Sequence, residues 1–146
     1  MKIKIRKTSL IDLEFTHLLR NENEARKNSN NSKKILLKDH KIWLKKKIKD
    51  KNSLYYIITS KNFEKIGVVR YDLEDIFAKV SINILKKYRN LGYGSIMLKE
   101  TEKLFKKRII LVATVKKSNT KSLKIFKKNQ YIIIKKTKQI VLVKIT

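Results

Sequence analysis

Hydrophobic and polar residues alternate at both ends of the chain and through its middle, and shift to helical spacing in between. Lys2–Arg6 alternates with period two and predicts a first strand. Leu10, Ile11, Leu13, Phe15, Leu18 and Leu19 fall at helical spacing behind Thr8 or Ser9, either of which caps well, and predict a helix over 10–19. Arg20–Arg26 follows as a short polar turn of helix, and 28–34 is a loop by composition. Leu37, His40, Trp43, Leu44, Lys47 and Ile48 share one face of a second helix over Lys38–Asp50. Leu54–Thr59, Ile66–Tyr71 and Ala78–Ile84 are strand-like runs separated by turns at Lys61-Asn62 and Leu73–Asp75, the pattern of an antiparallel meander. A third helix follows Gly94 and uses Ile96, Met97, Leu98, Thr101, Leu104 and Phe105. Ile109–Val115 is an unbroken β-branched run, expected of a strand buried on both faces. Asn119–Lys128 predicts the last helix, and Tyr131–Lys135 with Ile140–Ile145 a closing hairpin. The order is β-α-α-β-β-β-α-β-α-β-β.

Composition narrows this picture. The 146 residues suit one domain, 1–146, with a real core at 42% hydrophobic content, and no repeat or linker interrupts them. No apolar run approaches about 20 residues, and Met-Lys-Ile-Lys-Ile-Arg lacks the apolar segment of a signal peptide, so the expected location is the cytoplasm. The absence of cysteine removes disulfides, thiolate nucleophiles and zinc–thiolate sites; His17 and His40 are too few for a dedicated metal site, and none is expected. The net charge of +26 comes mostly from lysine, in a chain also rich in Ile and Asn and free of Pro, a bias that A/T-rich codons produce without selection for charge. Whatever its origin, the field attracts anions and speeds the encounter with phosphate-bearing ligands. A basic nucleic-acid-binding module is the alternative from another class, motivated by lysine clusters at 45–51, 103–108 and 121–128. Aromatic residues do not interleave with them and arginine is scarce, so such binding would be non-specific.

Two of the three glycines, Gly92 and Gly94, lie between the third strand of the meander and the helix after it. A glycine-containing turn at a helix start brings backbone N–H groups and a positive dipole end to a diphosphate. Arg89-Asn-Leu-Gly-Tyr-Gly94 resembles the Arg/Gln-x-x-Gly-x-Gly/Ala signature of the GNAT superfamily of acetyl-CoA-dependent N-acetyltransferases, and the element order is that of the same fold. The resemblance implies an α/β (α+β) class: a mixed, mostly antiparallel sheet of six to seven strands flanked by about four helices. It implies acetyl-CoA as acetyl donor, bound by Ile82, Asn83 and Ile84 of a splayed strand and by Arg89, Asn90, Leu91, Gly92, Tyr93, Gly94 and Ser95.

Asn119-Thr-Lys-Ser122-x3-Phe126 is similar to the late motif of that superfamily and adds Asn119, Ser122 and Phe126 to the cofactor residues, although Asn119 also reads as a plain N-cap. Phe126 stands where the family commonly has a tyrosine able to protonate the leaving thiolate, and Gln130 replaces a glycine, leaving Asn129 as the expected left-handed residue at the helix end. Arg20-Asn21-x4-Arg26, with His40, Trp43 and Gly67-Val-Val-Arg70-Tyr71-Asp72, resembles the subgroup acetylating nucleotide-linked 4-amino-deoxysugars, in pathways such as that to pseudaminic acid; the enzymes acetylating ribosomal-protein N-termini are next nearest. Arg20, Asn21, Arg26, Trp43, Arg70 and Tyr71 are the substrate residues so implied, with an anionic sugar nucleotide as small-molecule partner and a homodimer allowed. Trp43 also fits a core position, and Arg20 and Arg26 also fit ion pairs with Glu22, Glu24 or Asp39. An ammonium nucleophile must lose a proton, for which Asp72, Glu74 and His40 are the candidate bases.

Overall fold

The structure, a computed structural model, describes residues 1–146. Its elements are β1 (Ile3–Lys7), α1 (Leu13–Asn21), α2 (Asn23–Lys27), α3 (Leu37–Lys49), β2 (Ser53–Ser60), β3 (Lys65–Glu74), β4 (Phe77–Ile84), α4 (Tyr93–Glu102), β5 (Ile110–Lys116), α5 (Thr120–Lys128), β6 (Ile132–Lys136) and β7 (Gln139–Ile145). Short 3-10 turns occupy Leu10–Asp12 and Lys86–Tyr88. The first helix starts later than the apolar spacing predicts because Asp12, fully buried, takes Arg6 on both carboxylate oxygens at 2.7 and 2.8 Å and the Ser9 N–H at 3.0 Å. That cluster pins the entry to α1 and leaves Leu10 and Ile11 exposed. Burial alone would raise the Asp12 pKa, but Arg6, the Ser9 N–H and Lys65 outweigh it and hold the carboxyl below its ordinary value.

The sheet order is β1-β2-β3-β4-β5-β7-β6, with β4–β5 as its parallel pair and every other pairing antiparallel. One face packs on α4 and α5 through Ile66, Val69, Tyr71, Met97, Leu98, Leu111, Leu123, Phe126 and Leu142. The other packs on α1 and α3 through Leu19, Leu44, Tyr55, Ile57 and Val68. Two expectations fail on this layering. In β5 only Leu111, Ala113 and Val115 are buried and Thr114 is exposed, because α1 and α3 cover the β2–β4 half of the sheet and not β5. Tyr71, expected among the substrate residues, is fully buried on the α4 face, its hydroxyl 2.7 Å from Thr101 Oγ1 and its ring edge-on to Phe105. Period-two alternation sends Tyr71 and Arg70 to opposite faces, so both cannot serve one site.

Gly67 pairs with Ile84 across β3 and β4, where a Cβ would lie 2.3 Å from the backbone oxygen of Asn83. Since the obstacle is backbone, Gly67→Ala should cost toward the upper end of the about 1–3 kcal/mol typical of overpacking. Urea unfolding checks this, with Ile132→Ala, at a 68% exposed position, expected to stay within about 0.5 kcal/mol of the parent.

Candidate active site

β4 and β5 pair only where Phe77, Ala78 and Lys79 meet Ile110, Leu111 and Val112, and then diverge. Beyond that point β4 has no strand partner on its β5 side. The gap opens into a cleft of about 1050 Å³ walled by Val80–Ile84, Thr114, Val115, the start of α4 and residues 119–126, and closed at its far end by residues of α1, α3 and β3.

At one end of the cleft the chain turns through Asn90 at φ 63° and Gly92 at φ 88° into α4. The backbone N–H groups of Asn90, Leu91, Gly92, Tyr93, Gly94 and Ser95 have no acceptor in the protein, and the first helical bond, Ile96 N–H to Gly92 O, is long at 3.5 Å. A run of unmet donors at a helix N-terminus is an anion cradle. The two glycines serve it differently. Gly92 supplies the left-handed turn, whereas a Cβ on buried Gly94 would lie 2.6 Å from Ile125 Cδ1 and 3.0 Å from Ile84 Cδ1, so Gly94 lets α4 close on α5 and β4. Leu91, expected among the cofactor residues, is exposed and does not line the cleft.

Arg89 does not reach along this cradle as a free cation. Its Nε donates to Ile84 O at 2.9 Å, Nη1 to Glu24 at 2.7 Å and Nη2 to Glu22 at 2.8 Å. Lys121 of α5 also binds Glu24, at 3.1 Å, Lys116 donates to Lys27 O and Gln139 to Asn30. Residues 22–31 therefore bridge the mouth of the cleft from the α4 loop to α5 and β7. Lys121 first and Arg89 next hold the Glu24 carboxyl below its ordinary pKa. Ion pairs with Glu22, Glu24 or Asp39 were the alternative to a substrate role for Arg20 and Arg26; neither arginine makes one. Arg20 donates to Asn31 O while its Nη1 is buried without a partner, and Arg26 reaches only Asn23 and lies outside the cleft. Asn21 also lies outside, holding both the N–H and the C=O of Ile35. Glu22-x-Glu24 in an acid-poor chain was the available signal for the Arg89 pairing.

At the other wall, the Asn119 side-chain oxygen caps α5 by accepting the Ser122 N–H at 3.2 Å, leaving its amide nitrogen free beside the cleft. Ser122 and Phe126 line the same wall, Phe126 packing edge-on to Tyr131 at 5.0 Å. The left-handed residue at the helix end is Gln130, φ 68°, and not Asn129 as expected. Asn129 stays near φ −90° and, buried, donates to Ser95 Oγ and Ile125 O, tying the end of α5 to the first turn of α4. Sequence patterning did not find that tie, which joins the two helices at the cleft. Ile82, Asn83 and Ile84 line the cleft as expected, with the Asn83 amide donating to Leu19 O at 3.1 Å.

The far end gathers Thr16, Arg20, His40, Trp43, Tyr55 and Arg70. His40 Nε2 is 2.8 Å from Thr16 Oγ1 and its ring stacks on Trp43 at 5.4 Å. Burial first, then the charges of His17 and Arg20, push His40 down to about 4, so it is neutral at pH 7. Of the three candidate bases His40 alone lines the cleft. Asp72 spends one oxygen on Lys47 (2.9 Å) and Ser53 (3.1 Å) and the other on Arg70 Nε (2.9 Å), which hold its carboxyl below its ordinary pKa despite burial. Glu74 is exposed at the end of β3, past Asp72 and away from the cleft.

The sequence model of the Acetyltransferase (GNAT) family matches residues 15–131, which span both walls of this cleft. The chain belongs to the acetyltransferase (GNAT) family. This GNAT protein is accordingly an N-acetyltransferase with acetyl-CoA as its acetyl donor. No curated protein sequence matches it. Its fold is shared with an acetyltransferase from Thermus thermophilus, at TM-score 0.84 and 16% identity over 100% of this chain and 98% of that one. The spermidine N-acetyltransferase of Vibrio cholerae, solved with CoA and spermine, gives 0.83 and 14% over 99% and 94%. An aminoglycoside acetyltransferase solved with coenzyme A gives 0.82 and 14% over 98% and 94%. No helix of this chain is long and apolar enough to cross a membrane.

Two outcomes test the electrostatics. Arg89→Gln strands Glu22, only 17% exposed at its side chain, and the half-open Glu24, so after discounting for solvent it should cost about 1–3 kcal/mol in chemical unfolding. His40, whose folded pKa of about 4 lies below its ordinary 6.5, contributes stability above pH 6.5 that is lost as pH falls through about 4. Thermal unfolding of the parent should therefore decline across that window, ahead of the loss from Asp12 and Asp72 at lower pH, and His40→Gln should flatten the decline.

Proposed function

We propose that this GNAT enzyme moves acetyl from acetyl-CoA directly to the primary amine of an anionic acceptor, with the 4-amino group of a UDP-linked amino-deoxysugar as the foremost candidate. The observation that carries the acceptor class is the charge of the cleft. Arg20, Arg70, Arg89, Lys121, Lys124 and Lys128 line it against one carboxylate, Glu24, which Arg89 and Lys121 already occupy. A polyamine or an aminoglycoside is a polycation and would find repulsion and no free carboxylate there; a phosphate-bearing acceptor gains from the same charges. Arg20, with Nη1 buried and unpaired, and Trp43 are the side chains assigned to it together with Arg70.

The unbonded N–H groups of Asn90–Ser95 suit the diphosphate of acetyl-CoA, and the unpartnered edge of β4 through Ile82–Ile84 suits the amides of its pantetheine arm. The free Asn119 amide nitrogen and the small Ser122 flank that arm, while Phe126 forms an apolar wall. Bound there, acetyl-CoA supplies a thioester whose C–S bond is exchanged for the C–N bond of the amide as CoA departs. Holding the amine and the thioester together supplies most of the rate, and strand N–H groups polarise the carbonyl. The clustered cations disfavour the ammonium form of the acceptor, and in this reading neutral His40 accepts its hydrogen bond through the ring nitrogen that Thr16 does not engage. Phe126 offers no proton, so water protonates the departing thiolate, whose thiol resembles a free cysteine of pKa about 8.5.

Calorimetry should give saturable acetyl-CoA binding, and Asn119→Ala should raise the acetyl-CoA KM. A thiol-release assay across amino-sugar nucleotides, N-terminal peptides and polyamines should favour the first; preference for polyamines overturns the acceptor assignment. Phe126→Tyr should change turnover little, whereas a gain of about 10²–10⁴-fold, the usual worth of a general acid, would show that thiolate protonation limits the reaction.

A further inference from the structure

Arg70 sits in the middle of β3 on the side facing Trp43 and Lys47 of α3, two residues before Asp72 on the same side of the strand. Its Nε donates to Asp72 Oδ2 at 2.9 Å. Its guanidinium carbon lies 5.0 Å from the Trp43 ring centroid and 5.7 Å from that of Tyr55. One hydrogen bond along its inner edge and two aromatic rings thus set the position of the guanidinium. Asp72 is itself immobilised, since Lys47 and Ser53 take its other oxygen at 2.9 and 3.1 Å. Nη1 and Nη2 of Arg70 make no hydrogen bond to the protein, although the residue is half-buried and lines the cleft.

An ion pair kept only for stability would be expected to be bidentate, with two parallel N–H···O bonds to the carboxylate, whereas Arg70 makes one, from Nε. Here the side-on Nε contact reserves the terminal fork. Local charge points the same way: Asp72 is shared between Lys47 and Arg70, leaving the group net positive. A pre-oriented planar fork in a partly desolvated cleft matches the two oxygens of a carboxylate or phosphate, which a lysine ammonium cannot reproduce.

We propose that Arg70 recognises an anionic group on the acceptor through its Nη1/Nη2 fork and thereby determines specificity, and that Asp72 is the positioning residue that aims the fork. The inference rests on the acceptor reading above. It also gives Asp72 a role other than that of a base: three donors, Lys47, Ser53 and Arg70, engage its two oxygens, and the residue does not line the cleft where the amine would sit.

The test uses the full chain and three primary amines of similar size: phosphoethanolamine, β-alanine and ethanolamine, which lacks an oxyanion. Acetylation kinetics at saturating acetyl-CoA are paired with calorimetric binding of each amine to the protein without acetyl-CoA. Arg70→Gln should raise the KM of whichever anionic amine is preferred by about tenfold or more, with kcat for that amine and the KM for ethanolamine unchanged. Arg70→Lys should recover only a minor part, and Asp72→Asn should fall between the parent and Arg70→Gln. The phosphate and carboxylate arms show which oxyanion the fork reads. Equal losses for ethanolamine and the anionic amines, or no loss for any, overturn the proposal, as does an Asp72→Asn variant that loses kcat with KM intact, the behaviour of a missing base. If acetyl-CoA binds and neither these amines nor any amino-sugar nucleotide is acetylated, the acceptor reading fails by itself; the calorimetric arm still decides Arg70, since the Arg70→Gln variant must then bind the anionic amines more weakly while binding acetyl-CoA as the parent does.

Discussion

Everything at the centre of this protein depends on how little of β4 pairs with β5. A parallel pair that continued past Lys79 and Val112 would satisfy the backbone of both strands and close the sheet. Instead β4 continues along β3 as far as Ile84 while β5 commits its other edge to β7 over its whole length. The unmatched edge of β4 is left facing a cleft, and the chain leaving β4 must turn within a few residues to start α4. Gly92 makes that turn possible and Gly94 lets the helix press against Ile84 and Ile125, which together bring unmet N–H groups to the cleft.

A divided sheet needs braces, and here they are electrostatic. Arg89 holds Glu22, between α1 and α2, and Glu24 of α2 against the α4 loop, Lys121 holds the same Glu24 from α5, and Asn129 joins α4 and α5. Because these contacts consume Glu22 and Glu24, the cleft is left with cations and hardly any acid. The same ion pairs that hold the walls in place thus bias which acceptor can enter, a coupling of stability to specificity in which the high lysine content supplies the field and the few arginines supply the geometry.

Much of this was legible in the chain. Periodicity located all seven strands and the main helices, with errors of one to a few residues at their ends, where local polar contacts such as that of Asp12 with Arg6 override apolar spacing. The Arg89–Gly94 and Asn119–Phe126 patterns identified the two walls of the cleft, because a positive-φ turn and a helix cap are short-range demands that few residue types meet. Candidate acceptor residues were less well placed. Tyr71 is in the core, Asn21, Arg26 and Glu74 stand outside the cleft, and Gln130 takes the left-handed conformation expected of Asn129.

By itself, then, the sequence determined the order of elements, the family, and the two local backbone devices at the cleft, since each is set by interactions among residues close in the chain. Only the tertiary structure decided which charges meet. Arg89 lies more than sixty residues from Glu22 and Glu24, Lys47 twenty-five from Asp72, and each had nearer partners to choose from. Ion pairs act over a few ångströms of space without regard to chain separation, so the direction in which strands carry their side chains, and not the spacing of charges along the sequence, settled that Arg89 became a brace and Arg70 kept its fork free.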